Sequence, residues 1–351
     1  MSASLGSPRT VTISGDCSPE AARLTFPPAA GTAILPAVQV SFIIPLYNCL
    51  ELTRTCVESL QRSIPAGLVH EIILVDDGST DGTRAWLAGL GAPFRVLLNE
   101  RNLGYAGANN RGVAQATGSH LMLLNNDLEF HRGWLEPMFA VAKRLGPQAG
   151  LIGNVQRNAR TGQIDHAGMR INAKGKPEHR SDAGAREAFW PGYRPVPAVT
   201  AACVLVARET WNTLGGFDEG FRNGGEDVDL CFKAASRGLI NAVALRSVVL
   251  HHVSASPGRK LRDEQNSYRL ARRWRSVLCG HAARAWCHDY LEREVGPGGR
   301  QYPLKHAVEG FCFLAGLRRR VPAFVHAGVE AAMEQEFARW HQLLPEAPDQ
   351  G

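Results

Sequence analysis

Apolar residues in this 351-residue chain come in short runs without alternation, each stopping in a polar cluster before a helical period begins. Val40 to Ile44 reads as a strand covered on both faces, and it leads into Pro45, Tyr47 and Asn48. Asn48 with Glu51 three residues on makes a capping arrangement. Leu52, Cys56, Leu60 and Ile64 follow at helical spacing, and Pro65 marks the stop. Ile72 to Val75 repeats the layout, with the loop Asp76 to Asp81 and then Trp86, Leu87 and Leu90 as a buried helical stripe. Phe94 to Leu98 is a third strand, followed by the loop Asn99 to Gly104 and a small-residue helix that runs through Ala116 to Gly118. Leu121 to Leu124 is a fourth, and it stops in Asn125, Asn126 and Asp127.

Strands alternating with helices of this length predict an α/β fold with right-handed crossovers and a parallel, doubly wound sheet. Ligands bind such sheets beyond the carboxyl ends of the strands, which is where every polar cluster above falls. After a helix around Trp134 to Leu145 the pattern changes. Residues 150 to 200, rich in Gly, Arg and Pro, read as irregular excursions with short strand-like pieces that shape a second substrate pocket. Val196 to Ala207 is a strand candidate, and Glu209 to Leu214 a short helix closed by Gly215 and Gly216. In GGEDVDLCFKAASRG, Leu230, Phe232 and Ala234 face inward on a helix ending at Gly238. Ile240 to Leu250 is a strand leading into His251 and His252, and from about Leu261 onward the chain is mostly helical. One α/β domain of roughly 240 residues is therefore expected over 39–278, after a poorly ordered leader at 1–38 and before a helical extension at 279–351.

Composition narrows this only modestly. With 44% hydrophobic and 21% charged residues the chain is of ordinary globular make-up. Its net charge of +6 suits an anionic ligand or an acidic membrane surface, but the basic residues are too scattered for a nucleic-acid footprint. Eight cysteines, at 17, 49, 56, 203, 231, 279, 287 and 312, form no C-x-x-C pair, and most lie in apolar runs, as reduced core residues do. No run of about eighteen apolar residues is present, and no basic start precedes an apolar block at the N-terminus. The expected location is the cytoplasm.

Carboxylates beside Gly and Ser at a sheet edge have two uses: accepting hydrogen bonds from a base and ribose, or holding a divalent cation through oxygen. Asp76 and Asp77 suit the first, while Asp81 is placed to cap the next helix. No strand here is followed by G-x-G-x-x-G, and no G-x-x-x-x-G-K-[ST] occurs, so neither a dinucleotide fingerprint nor a phosphate loop is present and a dehydrogenase is disfavoured. GYAGANNRG has the wrong spacing and is expected to keep a helix close to its neighbour.

PLYN at 45–48, DDGSTDGT at 76–83, RNLGYAGANNRG at 101–112, NND at 125–127 and GGFDEGFRNGGEDVDL at 215–230 together resemble the family 2 glycosyltransferases of the GT-A fold, most of all bacterial rhamnosyl and surface-polysaccharide transferases. The likeness covers roughly Val40 to Leu278. It implies a Rossmann-like, mostly parallel doubly wound sheet with a smaller acceptor-side sheet and C-terminal helices. It also implies a nucleoside diphosphate sugar donor of UDP or dTDP type and a saccharide or lipid-linked acceptor. By that resemblance Pro45, Tyr47, Asn48, Asp76, Asp77 and Arg101 line the nucleotide pocket. NND stands in the place of the family's DxD motif, so that Asp127 holds Mg2+ or Mn2+ while Asn125 and Asn126 serve the nucleotide. His251 or His252 is implied to complete the metal shell, with His251 favoured, and Arg259 or Lys260 to add positive charge. Asp227 is the implied base, with Glu226 touching the acceptor or orienting the loop. Without the resemblance Glu226, Asp227 and Asp229 read as the acidic first turn of a helix. The alternative is a noncatalytic nucleotide-sugar or glycan-binding protein on the same scaffold.

On the acceptor side His166, Trp190 and Tyr193 fall in the variable region 155–195 and are open to sugar stacking or to surface packing. Near the C-terminus Phe311, Leu314 and Leu317, followed by Arg318, Arg319 and Arg320, suit a peripheral contact with an anionic membrane, a dimer contact or a solvated charge run.

Overall fold

The computed structural model describes residues 40–252, 259–295 and 304–344; the expected leader lies outside them, as do the side chains of Arg259 and Lys260. The first half follows the predicted alternation: β1 (Val40–Leu46), α1 (Leu50–Ser63), β2 (His70–Asp76), α2 (Thr83–Ala88), β3 (Phe94–Leu98), α3 (Gly104–Gln115) and β4 (His120–Leu124). β1 pairs in parallel with β2 and β4, and β2 with β3. Phe42, Ile43 and Ile44 are fully buried because helices cover both faces of this sheet; such burial stabilises by about 1.5–3 kcal/mol per side chain.

The chain continues through β5 (Leu128–Glu129), α4 (Glu136–Leu145), β6 (Ala149–Asn158), β7 (Ile164–His166), β8 (Met169–Ile171), β9 (Pro177–His179), α5 (Ala185–Phe189), β10 (Tyr193–Pro195), β11 (Cys203–Ala207), α6 (Arg208–Leu214), α7 (Glu226–Ser236) and β12 (Ile240–His251). The large sheet has the order β3-β2-β1-β4-β11-β6-β12-β10, with β5 beside β12 and β7 beside β6. β11 is antiparallel to both β4 and β6, and β6 is parallel to β12. It follows that β3, β2, β1, β4, β6 and β12 all run one way, with β11 inserted against them. The carboxyl ends of the parallel strands and the start of β11 therefore share one edge. β8 and β9 form a separate small sheet.

Three sequence expectations need correction. β6 is a ten-residue strand of the main sheet, where an irregular excursion was expected; its Gly150 and Gly153 sit where a Cβ would strike Asn241 and Val199, so glycines that look like loop signals mark close packing. The strand expected over Val196 to Ala207 begins only at Cys203, because the preceding residues turn at the sheet edge. Asn48 does not cap α1. Its side-chain oxygen accepts the Thr80 N–H at 2.8 Å, while the first turn of α1 is satisfied from the neighbouring loop by Asp81, which accepts the Leu50 N–H at 3.0 Å.

The C-terminal helices are α8 (Arg259–Val295), α9 (Leu304–Leu314) and α10 (Ala323–Leu343), and position 278 lies inside α8. Asp229 also exceeds its expected helix-dipole role. It is fully buried, paired with Lys233 at 2.9 Å and Arg273 at 2.8 Å, and accepts the Trp274 indole N–H at 2.8 Å. Trp274 is also where α8 leaves helical geometry.

α3 lies directly on the strands that carry the site. A Cβ at Gly112 would stand 2.5 Å from Ile43 Cγ2 and 3.0 Å from Val75 Cγ2, which bears out the close-packing reading of GYAGANNRG. Gly112→Ala is accordingly expected to destabilise the protein by about 1–3 kcal/mol through overpacking, measured as a lower urea midpoint at unchanged m-value.

Candidate active site

Each cluster anticipated at the strand ends is at that edge, but several of its members already have structural work. Asp76 is fully buried, forms an ion pair with Arg84 at 2.7 Å and accepts the Gly78 and Ser79 N–H groups. Asp77, nearly as buried, accepts the Asn99 side-chain N–H at 2.7 Å and the Leu103 and Gly104 backbone N–H groups at 2.8 and 2.9 Å. Its carboxylate thereby satisfies donors at the start of α3 that would otherwise be orphaned, leaving little capacity for a base. Pro45 is buried within β1. Tyr47, 53% exposed, and the exposed Arg101 are the members of this group that present side chains outward. Asn126 donates to Thr53 Oγ1 at 2.8 Å and so braces the loop onto α1.

The NND loop and the far end of β12 meet. His251 Nε2 lies 3.3 Å from Asp127 Oδ1, and His251 Nδ1 lies 3.3 Å from Asp165 Oδ2. His252 turns instead to Glu129 at 3.3 Å, and its backbone N–H donates to the Asp127 carbonyl. Of the two histidines, His251 is the one brought to Asp127. Burial alone lowers the pKa of His251, yet hydrogen bonds and charges from Asp127 and Asp165 outweigh it and hold the imidazole above its ordinary value. An oxygen and a nitrogen donor converge here, with Asp165 behind the imidazole as metal-bound histidines usually have. Beside them Asn125 Oδ1 is buried without a hydrogen-bond partner, a costly state unless a donor or cation answers it. These residues fit a divalent ion.

The ED pair opens α7. Two glycines precede it, and Gly225 has φ +92 with the Phe221 ring 2.8 Å from where a Cβ would stand; only glycine lets the chain turn in so tightly. Glu226 is buried and accepts the Gly224 N–H at 2.7 Å. Asp227 is half-buried, and its Oδ2 accepts the Ala201 N–H at 3.2 Å. Burial raises its pKa; the Ala201 and Val228 N–H groups and nearby His179 pull it back only in part.

Ala201 and Ala202, just before β11, join the two halves of the site. While Ala201 donates to Asp227, the Ala202 carbonyl accepts the Asn125 N–H at 2.8 Å. Tyr105 closes the ring: its hydroxyl donates to the Ala201 carbonyl at 2.8 Å and its backbone N–H to Asn223 Oδ1 at 2.9 Å. Burial and then the charges of Glu226 and Asp227 push the Tyr105 phenol well above its usual pKa, so it stays a donor. Asp77 grips residues 103 and 104, immediately before Tyr105. The Asp77, Asp127 and Asp227 loops thus belong to one hydrogen-bonded assembly.

Residues missed in the sequence stand around it. Asp165 carries no motif, and Tyr105 lies within RNLGYAGANNRG without a role read for it; their roles depend on β7 pairing with β6 and on how α3 is seated. His166, fully buried, has its Nδ1 3.3 Å from His179 Nδ1 and accepts the Thr200 N–H at 3.4 Å. Burial, followed by the two neighbouring histidines, holds it well below the ordinary pKa. Neutral His166 thus lies between the His251 side of the site and the exposed His179 near Asp227. Trp190 and Tyr193 are elsewhere, stacked with the Arg144 guanidinium 4.5 and 5.7 Å from their ring centroids. Among the described cysteines all are free, and five of the seven are buried, in keeping with core residues.

The profile of Glycosyl transferase family 2 matches residues 41–194. The O-antigen biosynthesis protein RfbC of Myxococcus xanthus is 33% identical over 231 residues, 62% of this chain and 18% of that protein. An N-acetylglucosaminyl-diphospho-decaprenol L-rhamnosyltransferase of Mycobacterium tuberculosis is 29% identical over 210 residues, 54% of this chain and 68% of that one. The chain spans 29% and 18% of the length of the first two curated relatives it matches. In fold it is similar to GalNAc-T7 solved with UDP, GalNAc and Mn2+, at a TM-score of 0.56 and 18% identity over 79% of this chain and 55% of that one. It is also similar to the mannosyltransferase PcManGT from Pyrobaculum calidifontis, solved with GDP-Man and Mn2+, at a TM-score of 0.50 and 19% identity over 85% of this chain and 86% of that one. Profile, relatives and architecture agree with the strand-end motifs: the chain carries a family 2 glycosyltransferase domain over residues 41–194 and is built on the GT-A fold.

Proposed function

We propose that the protein transfers a sugar, with inversion at the anomeric carbon, from a nucleoside diphosphate donor of UDP or dTDP type to a hydroxyl of a saccharide or lipid-linked acceptor in surface-polysaccharide synthesis. The observation that carries this reading is the bridge through Ala201 and Ala202, which ties the Asp127 loop to Asp227 at one sheet edge. Asp127 and His251 would hold Mg2+ or Mn2+, with Asn125 beside them. A bound divalent ion would supply positive charge against the diphosphate leaving group. Tyr47 and Arg101, exposed on adjoining loops, are placed to meet the nucleotide. Asp76 and Asp77 serve it mainly by fixing those loops, with Asp77 retaining a lone pair for the base edge.

Asp227 is the base. As the acceptor oxygen bonds to the anomeric carbon, its proton passes to the Asp227 carboxylate while the bond to the diphosphate breaks and its electron pair leaves with the phosphate oxygen. A carboxylate raised by burial is a better proton acceptor than one free in water, and the Ala201 N–H keeps it aimed. Glu226, holding the Gly224 N–H, orients the turn that presents Asp227. Nucleotide sugars of the relatives' donor chemistry are the natural first substrates to assay.

Two substitutions separate binding from chemistry. Asp127→Ala should weaken Mn2+-dependent binding of UDP or dTDP by more than about tenfold with little loss of metal-free binding; calorimetry with and without Mn2+ reads this, and unchanged binding in Mn2+ would refute the metal assignment. Asp227→Asn should leave nucleotide binding intact and lower kcat by about 10²–10⁴-fold. Because Asp227 works ionised and its pKa is raised, wild-type kcat/KM should fall away on the acid side above the usual aspartate range, near about 3.9. An acid limb within the ordinary range, or substantial turnover by Asp227→Asn, counts against the base.

A further inference from the structure

α9 is apolar on two sides. One side packs on α8: Gly310 and Phe313 are buried, and a Cβ at Gly310 would stand 3.1 Å from Leu291 and 3.3 Å from Cys287 Sγ. The other side faces solvent. Leu304, Val308 and Phe311, at i, i+4 and i+7, are 78%, 53% and 55% exposed, one stripe along the helix. Arg284 donates to the Phe313 and Leu314 carbonyls at its C-terminal end. Gly316 at φ +77 then turns the chain, and the Leu317 N–H returns to the Cys312 carbonyl at 2.9 Å. Leu317, 82% exposed, is thereby fixed at the helix end. A stripe of large apolar side chains extended by a fourth is unlike the scattered exposed residues of an ordinary surface.

Basic residues flank the stripe. Lys305, Arg319 and Arg320 are exposed, and no carboxylate among the described residues pairs with them; Arg318 is held by Glu309 at 3.4 Å. We infer that this face of α9 and the arginine turn after it form a docking surface for an anionic lipid membrane. The charge decides between occupants. A second copy meeting this face about a two-fold axis would bring the same arginines toward each other, and like charges at an interface are costly, whereas lipid phosphates complement them. Eleven residues span only about 16 Å, against about 30 Å for a hydrocarbon core, and no described helix is long and apolar enough to cross a membrane. α9 would therefore lie on the surface with its apolar stripe among the acyl chains.

The test is flotation of the full-length protein with vesicles of phosphatidylcholine alone or with phosphatidylglycerol added, at low and high salt. No donor or acceptor is present, so the result does not depend on the transferase reading. Wild type should float with phosphatidylglycerol vesicles at low salt, and loss of either Arg319 or Arg320 to Ala should lower the partition about fivefold. Leu304→Ser with Leu317→Ser, exposed positions whose change should leave the thermal midpoint untouched, should lower it by more than about tenfold. Failure to float, equal flotation with pure phosphatidylcholine, or unchanged flotation of the serine variant would overturn the inference. So would a dimer in sedimentation velocity that the serine variant dissolves, since the occupant would then be a second copy.

Discussion

The antiparallel insertion of β11 is the constraint on which the site depends. In a wholly parallel sheet the segment before a strand lies at the opposite edge from the ligand-binding loops. Because β11 runs against β4 and β6, its entry, Ala201–Ala202, arrives at the carboxyl edge instead. There two adjacent peptide units hold the NND loop on one side and the start of α7 on the other. The contact to the NND loop is backbone to backbone, whereas the contact to α7 runs from the Ala201 N–H to the Asp227 carboxylate itself, so the bridge leaves the Asp127 side chain out and aims that of Asp227. The small residues at 201 and 202 suit the role, since both are buried between the two loops.

The electrostatics follow from that crowding. Asp127, Asp165, Glu226 and Asp227 share the edge with the imidazoles of His251, His166 and His179. The carboxylates that pair closely with an imidazole, Asp127 and Asp165, raise the pKa of His251, while buried His166 is held neutral. Asp227 is raised by burial, which the Ala201 and Val228 N–H groups and the neighbouring His179 offset only in part. One side of the crevice therefore pairs two carboxylates with an imidazole, and the other holds a carboxylate whose pKa burial raises. The Ala201–Ala202 peptide units and the neutral His166 ring stand between the two, so each keeps its own environment.

The strands of the first half were legible because buried parallel strands write themselves as unbroken apolar runs ended by polar residues, and Phe94 to Leu98 even has the predicted bounds. The motifs were legible because the chemistry sits in loops whose glycines are required by geometry, as at Gly225. β6 was not legible: its glycines and polar Asn154 and Gln156 resemble loop composition, and the close approach of Val199 and Asn241 that accounts for the glycines is a tertiary contact. Asn48 misled for a related reason. Its spacing to Glu51 suggested a cap, but a tertiary contact with Thr80 claimed the side chain, and Asp81 from another loop capped the helix. Asp77 shows the limit most clearly, since a carboxylate in a ligand-binding motif has three donors within the fold already.

α8 extends these constraints to the second half of the chain. Asp229, two residues after Asp227, is locked to Arg273 and Trp274 at the α8 kink, so the start of α7 is anchored to that helix. The small sheet leans on the same support: Lys176 pairs with Glu264 of α8 and Glu336 of α10, and Gly175 comes so close to Met333 that a Cβ there would clash. His179, which acts electrostatically on Asp227, is carried on that sheet at β9. α9 packs on a later stretch of α8 through Gly310, Cys287 and Leu291. The helix that anchors the start of α7 beside Asp227 therefore also supports the His179 strand and the exposed apolar stripe.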